Sequence, residues 1–276
     1  MKPLMKNVLI DARRHQYALS AFNFENIDML LGIIEGAAAC RSPVIVQTTL
    51  PALDYIGVRL VVAAVREMEH VFNTPVFLHL DHCGNMERIR QCIEAGFDSV
   101  MIDLADESYE INRRETIRII ELAHKSHVLV EGEIGVVGSD DQMGKDTCPM
   151  ICERYVTETK VDTLAIAIGS VHGRIDKNTH LDIDLLQEIQ ARVSVPLVLH
   201  GSSGVVDDDI VSAISYGISK VNIETELRSS FFNEIRSHLV NDPSNIKPRV
   251  LMGFVRKAIS ALVQNKCMLF GSANRR

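Results

Sequence analysis

The sequence lacks several features that would place it in a specialised class of protein. It contains no tryptophan and only 5% aromatic residues, and its 16 glycines and 8 prolines are thinly spread over 276 residues, which excludes collagen-like and low-complexity chains. No apolar run reaches the ~20 residues that a membrane-spanning helix needs, so we expect no membrane partner. The first residues show no secretory signal, and we therefore expect a cytoplasmic protein.

Basic stripes are also absent, and the formal net charge is −7. We expect no nucleic-acid partner, because proteins that bind nucleic acids attract phosphates with clustered lysine and arginine. Six cysteines show no regular spacing, which predicts reduced thiols, and Cys148 and Cys152 lack the second pair that a zinc ribbon would need. The composition is that of an ordinary globular protein, and we expect one domain over residues 1–276.

Short β-branched apolar runs alternate with longer amphipathic stretches along the chain. Eight runs have the length, composition and flanking residues of strands. Several are apolar at nearly every position, which is typical of parallel strands that helices cover on both faces. The predicted strands are residues 17–22, 43–48, 75–80, 98–102, 127–130, 163–168, 195–199 and 218–223.

Helix-like periodicity occupies most of the intervals between these strands, at 27–39, 58–71, 87–95, 108–124, 183–192 and 208–216. Eight strand–helix units in ~250 residues predict an α/β fold, a (β/α)8 TIM barrel. The alternative is an open doubly wound sheet, which would need a glycine-rich turn after its first strand that this sequence does not offer. A helix-rich tail at 246–262 predicts an additional C-terminal helix that covers a barrel end or a partner subunit.

Polar residues follow every predicted strand. In a TIM barrel the catalytic residues lie at the carboxyl ends of the strands, so these positions are the candidates for a site. They are Asn23, Thr49, Asp81, His82, Asp103, Glu131, Glu133, His172, His200, Asn222, Glu224 and Thr225.

Three of these candidates are histidines on three different strands: His82, His172 and His200. Three neutral imidazoles around an open position form a catalytic zinc site. The alternative is three unrelated histidines bonded to backbone groups. Asp81 precedes His82, and adjacent residues of an extended strand point in opposite directions, so Asp81 is a candidate general base rather than a metal ligand. Its alternative role is a helix cap.

The last two strand ends carry the residues of a phosphate site. Gly201, Ser202, Ser203 and Gly204 follow strand seven, and Thr225 opens a helix after strand eight. Barrels commonly bind phosphate with these two loops, although a plain glycine turn and a helix cap would have the same sequence. The long segment 132–149 is either an active-site lid that brings Asp140 or Asp141 into the site or a solvated acidic loop.

These residues resemble the class II, zinc-dependent fructose-bisphosphate/tagatose-bisphosphate aldolase family over nearly the whole chain, and the short length is similar to the tagatose-bisphosphate branch. Short matching blocks are AFN at 21–23, SPVI at 42–45, LDH at 80–82 and GSA at 271–273. The most specific blocks are EGEIG at 131–135, LAIAIGSVHG at 164–173, VLHGSSG at 198–204 and VNIETEL at 221–227.

The resemblance implies a set of roles for individual residues. One catalytic Zn²⁺ would be held by His82, His172 and His200, and a second metal or a monovalent cation is compatible with Asp103 and Glu133. Asp81 would transfer the proton of the substrate C4 hydroxyl, and Asp141 would be a second acid on the lid. The dihydroxyacetone phosphate half would contact Gly173, Gly201, Ser203, Asn222 and Thr225, and we expect the substrate surface to include Asn23, Thr49, Ser202 and Glu224 as well.

The chemistry of the residues agrees with this resemblance. Cleavage of a ketose phosphate into dihydroxyacetone phosphate and an aldehyde leaves an enediolate, which zinc can stabilise. We therefore expect a phosphorylated sugar as substrate and a homodimer or homotetramer. Two alternatives stay open: a zinc hydrolase on the same barrel, and a non-catalytic aldolase-companion subunit that binds sugar phosphates.

Overall fold

The eight predicted strands form a closed parallel barrel in which each strand pairs with its neighbour in the sequence and β8 pairs with β1. The computed structural model describes residues 4–138, 147–241, 244 and 247–275. The barrel confirms the TIM fold and excludes the open doubly wound sheet. The strands are β1 (Leu19–Asn23), β2 (Val44–Thr48), β3 (Val76–Cys83), β4 (Ser99–Ile102), β5 (Leu129–Ile134), β6 (Thr163–Ile166), β7 (Leu197–Leu199) and β8 (Ile218–Ile223).

Helices surround the barrel, and all six that the periodicity predicted are present within a few residues of their expected bounds. Helices α1, α3 and α7 were not among the predicted stretches. The helices are α1 (Met5–His15), α2 (Ile27–Ala39), α3 (Leu50–Ile56), α4 (Val58–Phe72), α5 (Met86–Ala95), α6 (Tyr109–Ala123), α7 (Pro149–Thr159), α8 (Ile183–Arg192), α9 (Asp207–Ser215), α10 (Thr225–Asn241) and α11 (Pro248–Leu269). Among the described residues, no helix is long and apolar enough to cross a membrane.

Alternate residues of each strand point into the barrel, as β3 shows. Val76, Leu78 and Leu80 belong to the large apolar core shared with the surrounding helices, whereas Phe77 packs in a second core with α1. Helix α1 closes the amino end of the barrel by placing Met5, Leu9 and Ala12 against inward-facing strand residues. The opposite, carboxyl end is left for a site.

The C-terminal helix α11 lies along α2 on the flank of the barrel, so the prediction that the tail covers a barrel end is wrong. The start of that predicted tail, Ile246, lies outside the described residues. Glycines explain the close contact: a Cβ at Gly36 would lie 2.7 Å from the Ser260 carbonyl oxygen, and one at Gly32 would lie 2.9 Å from Ile259 Cγ2. Only the absence of these side chains lets the two helices approach so closely.

Candidate metal centre and active site

A cavity of about 570 Å³ opens at the carboxyl ends of the strands. It lies where the barrel fold predicts a site, and most of the residues chosen from the sequence meet there. Among the residues that line it are Asn23, Asp81, His82, Asp103, Glu133, His172, Gly173, Gly201, Ser202, Ser203, Asn222, Glu224 and Thr225.

The three candidate histidines converge at this cavity. The ring centroid of His82 lies 5.3 Å from that of His172 and 4.6 Å from that of His200. One ligand nitrogen from each ring lies within 4.8 Å of the others, and His82 Nε2 is 2.9 Å from His200 Nδ1. Residues 118 positions apart in the sequence therefore present nitrogens to a common point.

The backbone of β3 explains how neighbouring residues reach the same cavity. The third strand was predicted to end at residue 80, but β3 continues to Cys83, so Asp81 and His82 lie within it. The pairing register with β4 shifts between Leu80 and Cys83, and His82 has a φ of 44°. This left-handed conformation interrupts the alternation of side chains, and both Asp81 and His82 line the cavity.

His172 is positioned by a loop rather than by a strand, because β6 ends at Ile166 instead of the predicted residue 168. Val171 forms an isolated parallel bridge with Gly138, and the His172 backbone N–H donates to the Gly138 carbonyl at 2.8 Å. The connection after β5 therefore holds the histidine that follows β6. The segment that contains Gly138 was predicted to contain no strand, whereas β5 extends through Glu133 to Ile134.

Carboxylates orient two of the three imidazoles from behind. His82 Nδ1 lies 2.7 Å from Asp103 Oδ2, and His200 Nε2 lies 2.9 Å from Glu131 Oε1. Each contact leaves the other ring nitrogen directed at the cavity, an arrangement typical of histidines that ligate metals. Glu131 was predicted only as a strand-end polar residue, without a role. Its two-residue spacing from Glu133 is nevertheless the spacing at which both side chains point into the barrel.

Glu131 also pairs with a buried lysine. Lys220 is fully buried, and its Nζ donates to the two Glu131 carboxylate oxygens at 3.1 and 2.9 Å. The same ammonium lies 3.4 Å from His79 Nε2, and His79 Nδ1 is 2.7 Å from Ser99 Oγ. These residues form a polar layer directly below the cavity. Because the Lys220 ammonium is paired with Glu131 in this buried layer, it does not suit the role of a lysine that forms a Schiff base with the substrate.

Two of the three histidines have pKa values that suit metal binding. Burial, together with the nearby His82 ring, lowers the pKa of His172 to about 4 and holds that of His200 well below its usual value. Burial opposes a charge on His82 as well, but Asp81 and Asp103 outweigh it and raise the pKa of this ring to about 10. Neutral imidazoles are the metal-binding form, and a cation bound here would take the place of the proton on His82 and neutralise the same carboxylates.

A second group of ligand atoms shares His82. His82, Asp103 and Glu133 present ligand atoms within 4.8 Å of one another. Burial and the nearby Asp103 raise the pKa of Glu133 to about 8, although His82 acts in the opposite direction. With Asp81 and Glu131, four carboxylates surround the imidazoles, so both the donor set and the charge fit a divalent cation such as zinc.

Asp81 is held as a carboxylate by side-chain amides. Its Oδ2 accepts from Asn23 Nδ2 at 2.7 Å and Gln47 Nε2 at 3.1 Å, and its Oδ1 accepts from Asn222 Nδ2 at 3.2 Å. Burial alone would raise the pKa of Asp81, but the His82 and His200 rings and the Asn23 amide lower it. Gln47 was not predicted as a site residue, because it lies one residue inside the predicted end of strand two.

The loops after β6, β7 and β8 interlock at one side of the cavity. Gly201 has a φ of 62°, and a Cβ there would lie 2.9 Å from the Val171 carbonyl carbon, so only glycine fits between the first two loops. Ser202 Oγ donates to the Asn222 carbonyl, and the Glu226 N–H donates to Ser203 Oγ at 3.3 Å. These contacts join the glycine–serine turn to the start of α10.

One predicted site residue, Thr49, lies outside the central cavity. Thr49 precedes α3 and lines a neighbouring cavity of about 390 Å³, together with Tyr55 and Arg228, rather than the central one. Arg228 lines both cavities and was not predicted. Asp141, like Asp140, lies outside the described residues.

The fold and the site together define a TIM-barrel enzyme with a histidine–carboxylate centre of the metal-binding type. Residues 4–275 match the family model described as fructose-bisphosphate aldolase class-II. A fructose-bisphosphate aldolase of Staphylococcus epidermidis is 38% identical, with 98% of each chain covered, and one of Geobacillus stearothermophilus is also 38% identical, over 98% of this chain and 97% of its own.

Solved structures give the same result. The YdjI aldolase of Escherichia coli K12 matches with a TM-score of 0.88 and 31% identity, covering 100% of this chain and 99% of its own. A putative fructose-1,6-bisphosphate aldolase from Coccidioides immitis matches with a TM-score of 0.85 and 28% identity, over 99% and 97%. The chain belongs to the class II fructose-bisphosphate aldolase family. It is an aldolase, a carbon–carbon lyase.

Proposed function

We propose that this chain is a zinc-dependent aldolase that reversibly cleaves a ketose 1-phosphate or 1,6-bisphosphate into dihydroxyacetone phosphate and an aldehyde. One observation carries the proposal: three imidazoles meet at one point beside a buried carboxylate, Asp81, in the cavity at the carboxyl end of the barrel. The relatives named as fructose-bisphosphate aldolases support the bisphosphate, and the resemblance to the tagatose-bisphosphate branch stays a prediction.

His82, His172 and His200 would hold the metal ion, and their arrangement supports this role. Asp103 and Glu133 would serve a second or alternative position that shares His82, because their ligand atoms also converge on it. When bound, zinc supplies a Lewis acid that polarises the ketose carbonyl and stabilises the enediolate.

Asp81 would move the reacting proton. Its carboxylate takes the proton of the substrate C4 hydroxyl while the C3–C4 bond breaks, the electrons of that bond pass to the donor half, and the aldehyde is released. In the synthetic direction the same carboxyl group returns the proton to the new hydroxyl. The amides of Asn23, Gln47 and Asn222 keep Asp81 ionised and fixed between turnovers.

The interlocked loops would hold the phosphate of the donor half. Gly173 and Gly201 leave room for the phosphate to approach backbone N–H groups, and Ser203 and Thr225 add hydroxyls at the amino end of α10. Asn222 Oδ1 is buried and has no hydrogen-bond partner among the described residues, so it is available to accept from a substrate hydroxyl. Glu224 and Asn23 would complete the walls of the site.

Exposed apolar side chains on the two C-terminal helices support a homodimer or homotetramer. Phe232, Leu239 and Val240 on α10 are 46%, 43% and 78% exposed, and Phe254 on α11 is 38% exposed. A second copy of the chain would cover such residues. Asp141 as a second acid on the lid and a cytoplasmic location stay predictions.

Solvent-proton exchange into dihydroxyacetone phosphate alone tests the proposal. An aldolase forms the enediolate from this half-substrate and exchanges its C3 proton, whereas a zinc hydrolase or a companion subunit does not. We expect exchange by the zinc-loaded protein and none after chelation, with metal analysis giving about one zinc per chain. An active chelated protein would contradict the role of the metal.

The role of Asp81 has its own test. We expect Asp81→Asn to keep zinc but to cleave substrate 10²- to 10⁴-fold more slowly, the usual contribution of a general acid–base residue. Asp54→Asn is the matched control, because Asp54 is an exposed aspartate on α3 with a 63% exposed side chain. Turnover by Asp81→Asn near that of the control would show that another group transfers the proton.

A further inference from the structure

Helices α2 and α11 run side by side in a fixed register. Gly32 on α2 lies against Ile259 on α11, and one turn later Gly36 lies against Val263; a Cβ added at these glycines would be 2.9 and 2.8 Å from the respective side chains. The two contacts have the same spacing along both helices. The next turn brings the C-terminal ends of the two helices together.

That next turn places Cys40 opposite Cys267. Cys40 directly follows α2 and is partly exposed, whereas Cys267 lies in the last turn of α11 and is fully buried. The Cys40 thiol donates to the Gly36 and Ala37 carbonyls at 3.3 and 3.4 Å, and the Cys267 sulfur lies 3.8 Å from Ser20 Oγ. The pair is outside the catalytic cavity, and the proposed reaction uses neither residue.

Backbone contacts fix both cysteines in place. The Asn274 N–H donates to the Cys40 carbonyl at 3.0 Å, and the Ser272 N–H donates to the Cys267 carbonyl at 3.0 Å. Ser42 Oγ donates to Ser272 Oγ at 2.8 Å, which closes the connection between the two helix ends. A disulfide needs Cα atoms about 4.4–6.8 Å apart, and the glycine contacts one and two turns earlier bring the two helices close together.

We propose that Cys40 and Cys267 form a redox-modification site, at which a peroxide converts the two thiols into an intrachain disulfide that ties the end of α11 to the end of α2. The disulfide would close a loop over most of the chain. The register of the helices and the contacts that join their C-terminal ends carry this inference, which is independent of the proposed substrate and metal.

The reaction needs one peroxide and two sulfurs. The Cys267 thiolate attacks a peroxide oxygen, the O–O bond breaks, and a sulfenic acid and hydroxide form. The Cys40 sulfur then attacks the sulfenic sulfur and displaces its hydroxyl, which leaves with the Cys40 proton as water. The two thiols lose two electrons in total, and the peroxide accepts them.

The surroundings of Cys267 favour the first step. The neighbouring Cys40 thiol lowers the pKa of Cys267 to about 7, and Ser42 and Ser20 act in the same direction, although burial alone would raise it. Ser20 Oγ lies 3.8 Å from the Cys267 sulfur. A thiolate is the nucleophilic form of cysteine, and a peroxide little larger than water would enter past the partly exposed Cys40.

Thiol mapping tests the proposal on the full chain. Reduced protein is treated with hydrogen peroxide, alkylated, digested and analysed by mass spectrometry. We expect the free thiols of Cys40 and Cys267 to disappear, and a linked peptide pair containing both residues whose mass is lower by two hydrogen atoms and which dithiothreitol releases. Cys148→Ser, at an exposed thiol, should retain the link, and Cys40→Ser should abolish it.

Recovery of Cys40 and Cys267 as free thiols, at a peroxide dose that oxidises the exposed Cys148, would overturn the proposal. Separate sulfinic acids without a link would overturn it as well. A second measurement needs no variant: the oxidised wild-type protein should unfold at a higher temperature than the reduced one, because the bond restricts the unfolded chain. An equal or lower midpoint would contradict the tie between the helices.

Discussion

Replacing Glu131 by glutamine tests whether the buried residues below the cavity contribute to metal binding. Glu131 is 2% exposed and accepts from His200 Nε2, while both of its oxygens accept from Lys220 Nζ. Glutamine has nearly the same shape and can still accept one hydrogen bond. It removes the negative charge that makes His200 a better ligand, and it turns an amide toward the Lys220 ammonium.

The expected loss follows from the role of the carboxylate. Residues that orient a metal-bound histidine typically contribute 10- to 100-fold in metal affinity. Glu131→Gln should therefore weaken zinc binding by about 1.4–2.7 kcal/mol. Because His82 keeps its contact with Asp103, we expect the remaining ligands to bind zinc with this reduced affinity rather than to lose it.

Zinc affinity is measured by competition with a chromophoric chelator at fixed pH. The chain offers a close control in Asp162, which is also buried and also pairs with a histidine, His124 at 2.8 Å, and a lysine, Lys6 at 2.9 Å, but lies at the amino end of the barrel. Asp162→Asn should bind zinc as the wild type does. Unchanged affinity in Glu131→Gln, or an equal loss in both variants, would refute the reasoning.

Two further predictions concern stability. Lys220→Met leaves the Glu131 carboxylate buried without its ammonium partner, so we expect the free energy of unfolding to fall by about 3–5 kcal/mol. At roughly 0.6 kcal/mol/K for a chain of this length, the thermal midpoint should be lower by about 5–9 °C. A shift of less than a degree would contradict the buried ion pair. Gly36→Ala should lower the free energy of unfolding by about 1–3 kcal/mol, because its Cβ would meet the Ser260 carbonyl. Gly253→Ala, in open space on α11, should raise it by about 0.5–1 kcal/mol. Denaturant unfolding that ranks the two variants the other way would contradict the contact between the helices.

The sequence predicted the barrel well because each strand is a short apolar run between helix-like segments. It failed where a helix lacks a simple signal. Helix α3 has only seven residues, and α7 follows a segment without regular periodicity. Helix α1 buries only Met5, Leu9 and Ala12, and its role is visible only once the strands place Phe77 and Ile45 at the barrel foot.

The candidate site divides in the same way. Candidate ligands at strand ends, such as His82 and His200, could be chosen from the sequence because the fold alone sends strand-end residues to one cavity. Gln47 was missed, and Glu131 was chosen without a role, because a polar residue inside a strand has no local signature and its role depends on which partners the barrel brings opposite it. The left-handed backbone of His82 was also unpredictable, since it depends on a register shift between β3 and β4.

The inward-facing residues of β3 show why the site and the fold are difficult to separate. Phe77 packs in the apolar foot, His79 lies in the buried polar layer with Ser99 and Lys220, and Asp81 reaches the cavity. Each step of two residues along the strand therefore changes the surroundings of the side chain, from apolar core, to buried hydrogen-bonded layer, to the wall of the cavity. The polar layer costs desolvation that an apolar core would avoid, so its benefit must lie in the groups above it, whose carboxylates and imidazoles it holds in one arrangement.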